Sequence, residues 1–452
     1  ERYYKIEIIS LRCEIKVFHI SGLFVSMKII SYEQKTLRED AHLREAEICR
    51  RRPRSVRECA LAHSFDRKVG KKMERIHVKV PGEQPQDREY MKQALALAEK
   101  GHGWVNPNPM VGAVLVKDGR IIGEGYHTRY GQLHAEREAF KNAAERGEET
   151  AGADLYVTLE PCCHTGKQPP CTEAVLASGV KRVIVGCTDP NPVVAGRGIR
   201  LLREKGLEVV AGVLRGECER QNEVFFHFMR TKLPFTVLKY AMTLDGKTAT
   251  VSGKSQWITG EAARKRVHED RGRYMAILTG VSTVLADNPQ LTCRIPGGKN
   301  PIRVIADTKL RTPLSSTVVQ TARETPTWIV TAVSDAGRKK AYEDAGCRVL
   351  SVPAKEGELD LQAMMQRLGE EKVDSVMVES GGTLAWSFLK AGLVNRVQAY
   401  IAPKIFGGAG APTPVRGTGV DAPPEAFLLK KPEAVWLGED LLLEYEVSGQ
   451  DA

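Results

Sequence analysis

The stretch EPCCHTGKQPPC, residues 160–171, sets three cysteines, one histidine and one glutamate among turn-forming residues. Seven further cysteines are scattered singly, at 13, 49, 59, 187, 218, 293 and 347. Ten cysteines in 452 residues make no disulfide scaffold; the single ones fit buried thiols in a reducing cytoplasm. Only the cluster asks for chemistry of its own.

A catalytic zinc takes three protein ligands and keeps one position open. Zinc-dependent base deaminases supply them as H-x-E followed by P-C-x-x-C, with the glutamate kept off the metal to move protons. Here HAE gives His134 and Glu136, EPC gives Cys162 and PPC gives Cys171, eight residues intervening between the two cysteines. The flanking pattern predicts His134 and Cys171 at helix N-termini and Cys162 in a loop that follows a strand. Helix N-termini favour negative charge and therefore thiolates. A closed structural site, with Cys163 or His164 as fourth ligand, is the competing reading. The ordered helix–strand–helix setting favours a catalytic site, with Cys163 and His164 as loop residues beside the ligands.

Around this cluster the pattern is regular. DREYMKQALALAEKG (87–101) has apolar residues at helical spacing, Asp87 as N-cap and Gly101 as stop. MVGAVLVKDGRIIGEGYH (110–127) reads as a hairpin turning at Asp118-Gly119. HAEREAFKNAAERG, CTEAVLASG and RGIRLLREKG read as helices, and ADLYVTLEP, VKRVIVGCTDP and LEVVAGVL as strands. The alternation predicts an α/β sandwich with a partly parallel sheet. After FFHFMRTKLP a second strand–helix series starts at Pro234 and runs through YMAILTGVSTVL, PIRVIAD, TWIVTA, CRVLSVP and SVMVESGGTLAWSFL. These shifts divide the chain into residues 1–85, 86–231 and 232–452.

The formal charge of +10 is uneven. Residues 1–85 carry 19 Lys and Arg against 12 Asp and Glu, a net of +7, leaving +3 for the other 367 residues. A body so nearly balanced gives no reason to expect a nucleic-acid groove. The apolar run VFHISGLFVSMKII (17–30) is too short to span a membrane, and His19 and Lys28 interrupt it. Residues 1–85 are expected to be a non-conserved extension, a targeting or RNA-binding arm being the other reading; Met73 and Met91 offer later starts.

NPNPMVGAVLV, LHAEREAF, YVTLEPCCHTGKQPPC, DPNPVVAGRGI and DGKTAT, in this order, resemble the bifunctional deaminase–reductase family of riboflavin biosynthesis. The resemblance runs from about residue 87 to the C-terminus. It implies a cytidine-deaminase-like α/β/α domain followed by a dihydrofolate-reductase-like α/β domain. It also implies zinc at His134, Cys162 and Cys171, with Glu136 as proton carrier. The expected reactions are hydrolytic deamination of 2,5-diamino-6-(5-phosphoribosylamino)pyrimidin-4-one, then NADPH-dependent reduction of the ribosyl group to ribityl. No G-x-G-x-x-G follows a strand in the second half, which argues against a Rossmann site there. The Gly-Gly at 381–382 between strand and helix is the candidate phosphate approach. By the resemblance, Ala241, Trp257, Thr283, Asp287, Gly381, Gly382, Thr383, Leu384, Ala385, Trp386 and Ser387 would line NADPH. Ser255, Arg271, Leu291, Arg294 and Glu379 would face the substrate, the two arginines suiting its phosphate. A cytoplasmic homo-oligomer acting on small molecules, with no membrane or nucleic-acid partner, is the expectation. The rivals are a nucleic-acid deaminase with an accessory domain, and a non-catalytic module with structural zinc and a ligand-sensing C-terminal domain.

Overall fold

A computed structural model describes residues 80–448, apart from 166–167 and 192–193. The expected N-terminal extension lies, as far as residue 79, outside the described residues. The first half is built on five strands: β1 (Gly112–Lys117), β2 (Arg120–Tyr126), β3 (Asp154–Leu159), β4 (Arg182–Cys187) and β5 (Glu208–Ala211). Their spatial order is β2-β1-β3-β4-β5. The first three are antiparallel neighbours, and β3, β4 and β5 run parallel. The β1–β2 turn has Asp118 and Gly119 both at positive φ, as an Asp-Gly hairpin turn requires.

Helix α1 (Asp87–Glu99) covers one face of this sheet, packing Met91 and Ala94 on Val114, Tyr156 and Ile184. Helices α2 (Ala135–Glu145), α3 (Cys171–Ala177) and α4 (Arg197–Glu204) lie on the other. In α2 the residues Ala135, Ala139 and Ala143 form a fully buried stripe. Facing them, β2 carries Gly123 and Gly125. A Cβ on Gly123 would come 2.6 Å from the carbonyl oxygen of Ala139, and one on Gly125 would overlap the backbone of Ala135 and Ala139. Helix and strand thus meet with almost no side chain between them.

One sequence expectation is corrected. Gln86, not Asp87, occupies the N-cap of α1, and it makes no side-chain cap bond. Asp87 is fully buried instead, accepting hydrogen bonds from the Tyr156 hydroxyl (2.8 Å) and from Arg182 (3.1 Å). Arg182 also binds Asp154 (3.0 Å) and Glu208 (3.1 Å), so one guanidinium joins α1, β3, β4 and β5. A capping carboxylate and a core carboxylate look alike in sequence; the difference is the arginine 95 residues away.

Helices α5 (Arg215–Gln221) and α6 (Glu223–Thr231) lead into the second half, where the chain turns at Lys232. There β6 (Phe235–Thr243), α7 (Glu261–Arg273), β7 (Ala276–Gly280), α8 (Val281–Asp287), β8 (Ile302–Ala306), α9 (Thr317–Gln320), β9 (Thr327–Thr331), α10 (Ala336–Asp344) and β10 (Arg348–Ser351) follow. After a small hairpin, β11 (Ala354–Lys355) and β12 (Glu358–Leu359), come α11 (Leu361–Glu370), β13 (Ser375–Val378), α12 (Gly382–Lys390), β14 (Arg396–Ala402), β15 (Leu429–Leu437) and β16 (Asp440–Val447). The nine-stranded sheet has the order β10-β9-β8-β7-β13-β6-β14-β16-β15. It is parallel from β10 to β14 and closes with an antiparallel β16–β15 edge. Ligands of open parallel sheets bind beyond the carboxyl ends of the strands, and Gly280 and Glu379 stand at those ends of β7 and β13. Among the described residues, no helix is long and apolar enough to cross a membrane.

Arg182→Ala leaves Asp87 buried without its counter-charge. Denaturant titration should show a loss of about 3–5 kcal/mol, the usual cost of breaking one side of a buried ion pair.

Candidate active sites

His134 occupies the N-cap of α2 and Cys171 the first position of α3. Cys162 lies three residues beyond the end of β3, and its sulfur accepts the N–H of Cys171 at 3.3 Å. The Nδ1 atom of His134 is 3.6 Å from the Cys162 sulfur and 3.3 Å from that of Cys171. One donor atom from each of the three residues falls within 4.8 Å of the others. Among the described residues this is the one such group that could hold a metal, and neither Cys163 nor His164 belongs to it. The two thiols titrate as a pair. The hydrogen bond from Cys171 holds Cys162 down at about 4, while that bond and burial push Cys171 up. Two thiols and an imidazole converging on one point are a donor set suited to zinc, and a divalent cation would stabilise both as thiolates.

The group opens onto a cavity of about 400 Å³, also lined by Glu136, His127, His164, Glu160 and Asp189. Glu136, in the first turn of α2, is buried. Burial, then the charge on Cys162, pushes its carboxyl up. Glu160 is committed to the segment between β4 and the first turn of α4, accepting from the backbone N–H groups of Asp189, Gly196 and Ile199. Burial raises Asp189 to about 6. His127 is a residue that reading the sequence for zinc motifs passes over. Its Nδ1 faces the Leu133 carbonyl at 3.1 Å, its ring meets that of His134 edge to face, and its buried Nε2 has no partner among the described residues. Burial and the charge of His134 lower it to about 4, so it is neutral at pH 7.

In the second half a cavity of about 520 Å³ gathers most of the residues expected there. Ala241, Trp257, Thr283, Asp287, Gly381 and Gly382 line it, with Ser255, Arg271, Arg294 and Glu379. Trp257 is 60% exposed, with the Arg264 guanidinium over its ring at 4.8 Å. Thr383, Leu384, Ala385, Trp386, Ser387 and Leu291 are not brought to the cavity wall. Ala385 and Leu291 are buried in the core because α12 and the loop after α8 turn those faces inward. Trp386 packs on Phe427 and leaves no room for a side chain at Gly417. The helix does present its N-terminus: Gly381 is its N-cap, and a Cβ there would meet nothing within 4 Å. Unpaired N–H groups beside open space are what a dinucleotide phosphate requires.

The cavity floor holds a charge cluster only partly anticipated. Arg271 binds both oxygens of Glu379, at 2.7 and 3.0 Å, and donates a third bond to the Thr292 carbonyl. Its fork is therefore committed to a carboxylate, leaving Arg294 as the more exposed guanidinium. Lys239 stands 3.7 Å from Glu379. Burial pushes its ammonium down against the pull of Glu379. Burial also pushes Glu379 up, but the charges of Arg271 and Lys239 overcome it and hold that carboxyl at about 2. The available signal for Lys239 was a lone charge in the strand FTVLKYAMT.

The family model for the cytidine and deoxycytidylate deaminase zinc-binding region matches residues 84–187, and that for the RibD C-terminal domain matches residues 234–443. The riboflavin biosynthesis protein RibD of Actinobacillus pleuropneumoniae is 49% identical over 361 residues, which cover 80% of this chain and 95% of that protein. RibD of Escherichia coli strain K12 is 43% identical, covering 71% and 89%. A structure of Acinetobacter baumannii RibD matches with a TM-score of 0.72 at 35% identity, over 80% of this chain and 99% of that one. A Thermotoga maritima structure, described as a diaminohydroxyphosphoribosylaminopyrimidine deaminase/5-amino-6-(5-phosphoribosylamino)uracil reductase, matches at 0.70 and 40% identity over the same shares.

Glu379 contributes stability as a carboxylate, because its folded value of about 2 lies below the unfolded 4.5. That contribution, roughly 3 kcal/mol, is present above pH 4.5 and disappears as pH falls toward 2. Urea midpoints at pH 3 and pH 6 should therefore differ less in Glu379→Gln than in the unmodified protein.

Proposed function

This chain belongs to the RibD family of riboflavin biosynthesis enzymes, and from that premise we propose how its two sites divide the chemistry. It is a bifunctional enzyme on small molecules, with a zinc-binding deaminase and a reductase of the NADPH-using type. Residues 86–231 form the deaminase and 232–452 the reductase, with 1–85 an extension. The deaminase acts on 2,5-diamino-6-(5-phosphoribosylamino)pyrimidin-4-one and the reductase on 5-amino-6-(5-phosphoribosylamino)uracil. The convergence of His134, Cys162 and Cys171 on a cavity that also receives a buried glutamate carries the reading.

His134, Cys162 and Cys171 hold the zinc. Zinc supplies Lewis acidity and brings water toward ionisation near neutral pH. Glu136 lies off the metal and takes the proton of the attacking water. It passes that proton to the pyrimidine nitrogen and a further one to the departing ammonia. His127, neutral and with Nε2 unpaired, is placed to hydrogen-bond the ring and so orient it.

In the reductase half, the N-terminus of α12 at Gly381–Gly382 receives NADPH phosphate, with Ala241, Trp257, Thr283 and Asp287 on the walls. NADPH supplies the hydride that ends on C1 of the ribosylamino group. As the bond from C1 to the ring oxygen breaks, that oxygen takes a proton, and Lys239, half-buried in the cavity wall, is the donor we assign to it. Glu379 faces the substrate, held in place by Arg271; Ser255 and Arg294 complete the contacts, Arg294 toward phosphate. The enzyme assembles as a homo-oligomer through the β15 edge, where Leu429, Val435 and Trp436 are exposed, with Leu428 just before the strand. Free cysteines at every described position support a reducing, cytoplasmic setting.

Purified protein should carry about one zinc per chain, as a three-ligand site implies. Glu136→Gln should keep that zinc by metal analysis and lose ammonia release by about 10²–10⁴-fold, the usual weight of a general base. Full deamination by this variant would remove Glu136 from the mechanism.

A further inference from the structure

One wall of the zinc cavity is a loop whose anchors lie in the reductase half. Pro107, Asn108 and Pro109 line that cavity together with His134 and Glu136. Behind the loop is a second cavity of about 340 Å³, whose lining includes Asn106, Asn108, Phe225 and Asp374. Asn108 and Phe225 line both spaces, so the partition there is one residue thick. A wall with open room behind it is not located by close packing. Hydrogen bonds and backbone contacts at its ends have to locate it.

A Cβ on Gly103 would overlap the carbonyl of Gly272 in α7, so the two backbones touch. Lys299 donates to the Gly103 carbonyl at 3.3 Å. Immediately before the wall residues, Asn106 donates through Nδ2 to Oδ2 of Asp374 at 2.7 Å. Beyond them Asn222, between α5 and α6, accepts the N–H of Met110 and donates to its carbonyl, both at 2.8 Å.

Asp374 is itself firmly placed and 1% exposed. Its carbonyl accepts the N–H of Phe235 at the start of β6 (2.7 Å), and its Oδ1 accepts the Ser375 hydroxyl (2.6 Å). The same Ser375 oxygen accepts the N–H of Met275, just before β7 (2.9 Å). Burying a carboxyl is costly unless such bonds are made, so its place among them has to be explained. The reductase chemistry does not explain it: Asp374 precedes β13, and Glu379 follows the opposite end of that strand.

We propose that Asp374 is a positioning residue for the deaminase: through Asn106 it sets residues 107–109 against the zinc cavity. The inference rests on the deaminase reading above and adds a residue that neither zinc motif nor deaminase sheet contains.

The test uses the full chain, with ammonia release from the diaminopyrimidine ribosyl phosphate and NADPH oxidation by the aminouracil measured separately. Asn106→Ala should raise the deaminase KM and lower its kcat. The combined loss in kcat/KM should be about ten- to a hundredfold, the scale of a site wall displaced by about an ångström. Asp374→Ala should do the same, and the double variant should lose no more than either alone, because the two act through one bond. Asn106→Ala leaves the reductase core untouched, so it remains informative where Asp374→Ala fails to fold. The exchange Asn106→Asp with Asp374→Asn reverses donor and acceptor, leaves Ser375 an oxygen to bond, and should recover most of the activity. Reductase kcat/KM and zinc content should be unchanged in Asn106→Ala and in the exchange. A loss in kcat alone overturns the assignment, since a smaller folded fraction lowers the rate without touching KM. Additive losses in the double variant, or full deamination by Asn106→Ala, overturn it equally. Absence of ammonia release by the unmodified enzyme would instead overturn the deaminase reading.

Discussion

The seam between α2 and β2 governs the first active site. Because Gly123 and Gly125 offer no side chain and Ala135, Ala139 and Ala143 only methyl groups, the helix lies directly on the strand backbone. That contact fixes both the position of the helix N-terminus and its rotation. Rotation matters here, since it decides that His134 points to the two sulfurs and Glu136 into the cavity beside them. Close packing of small residues is less forgiving than a thick apolar layer, where side chains can rearrange to absorb a shift.

Much of the first domain was legible because its chemistry is written in short motifs at element boundaries. HAE, EPC and PPC each sit where a strand or helix begins or ends, so spacing along the chain translated into proximity. His127 and Asp189 escaped that reading because their importance comes from burial, which a single sequence does not display. Asp87 was placed in the right element and given the wrong partner, since only the tertiary fold brings Arg182 to it. The second half was less legible. Its cavity is assembled from β6, α7, α8, β13 and the start of α12, with no compact signature. Residues 383–387 were expected on the wall as one run, but a helix presents only its end there and turns Ala385 into the core. Arg271 shows the same limit: sequence identifies a guanidinium, not the carboxylate that already occupies it.

The two sites solve opposite electrostatic problems. The deaminase cavity concentrates groups whose charged forms burial disfavours, the carboxyls of Glu136 and Asp189 among them. The reductase floor instead balances its charges internally, through Arg271, Glu379 and Lys239. The first arrangement suits proton traffic around a bound cation. The second gives a rigid polar surface against which a cofactor and a sugar can be aligned.

Helix α6 joins the halves in chain order, yet it also supplies three apolar side chains to the deaminase cavity. A cut placed at the last strand of the first sheet would strip that wall from beside His134 and Cys162. The helix thus belongs with the upstream catalyst, although it lies beyond that catalyst's last strand. A division between the two halves keeps this partition only if it falls after Thr231.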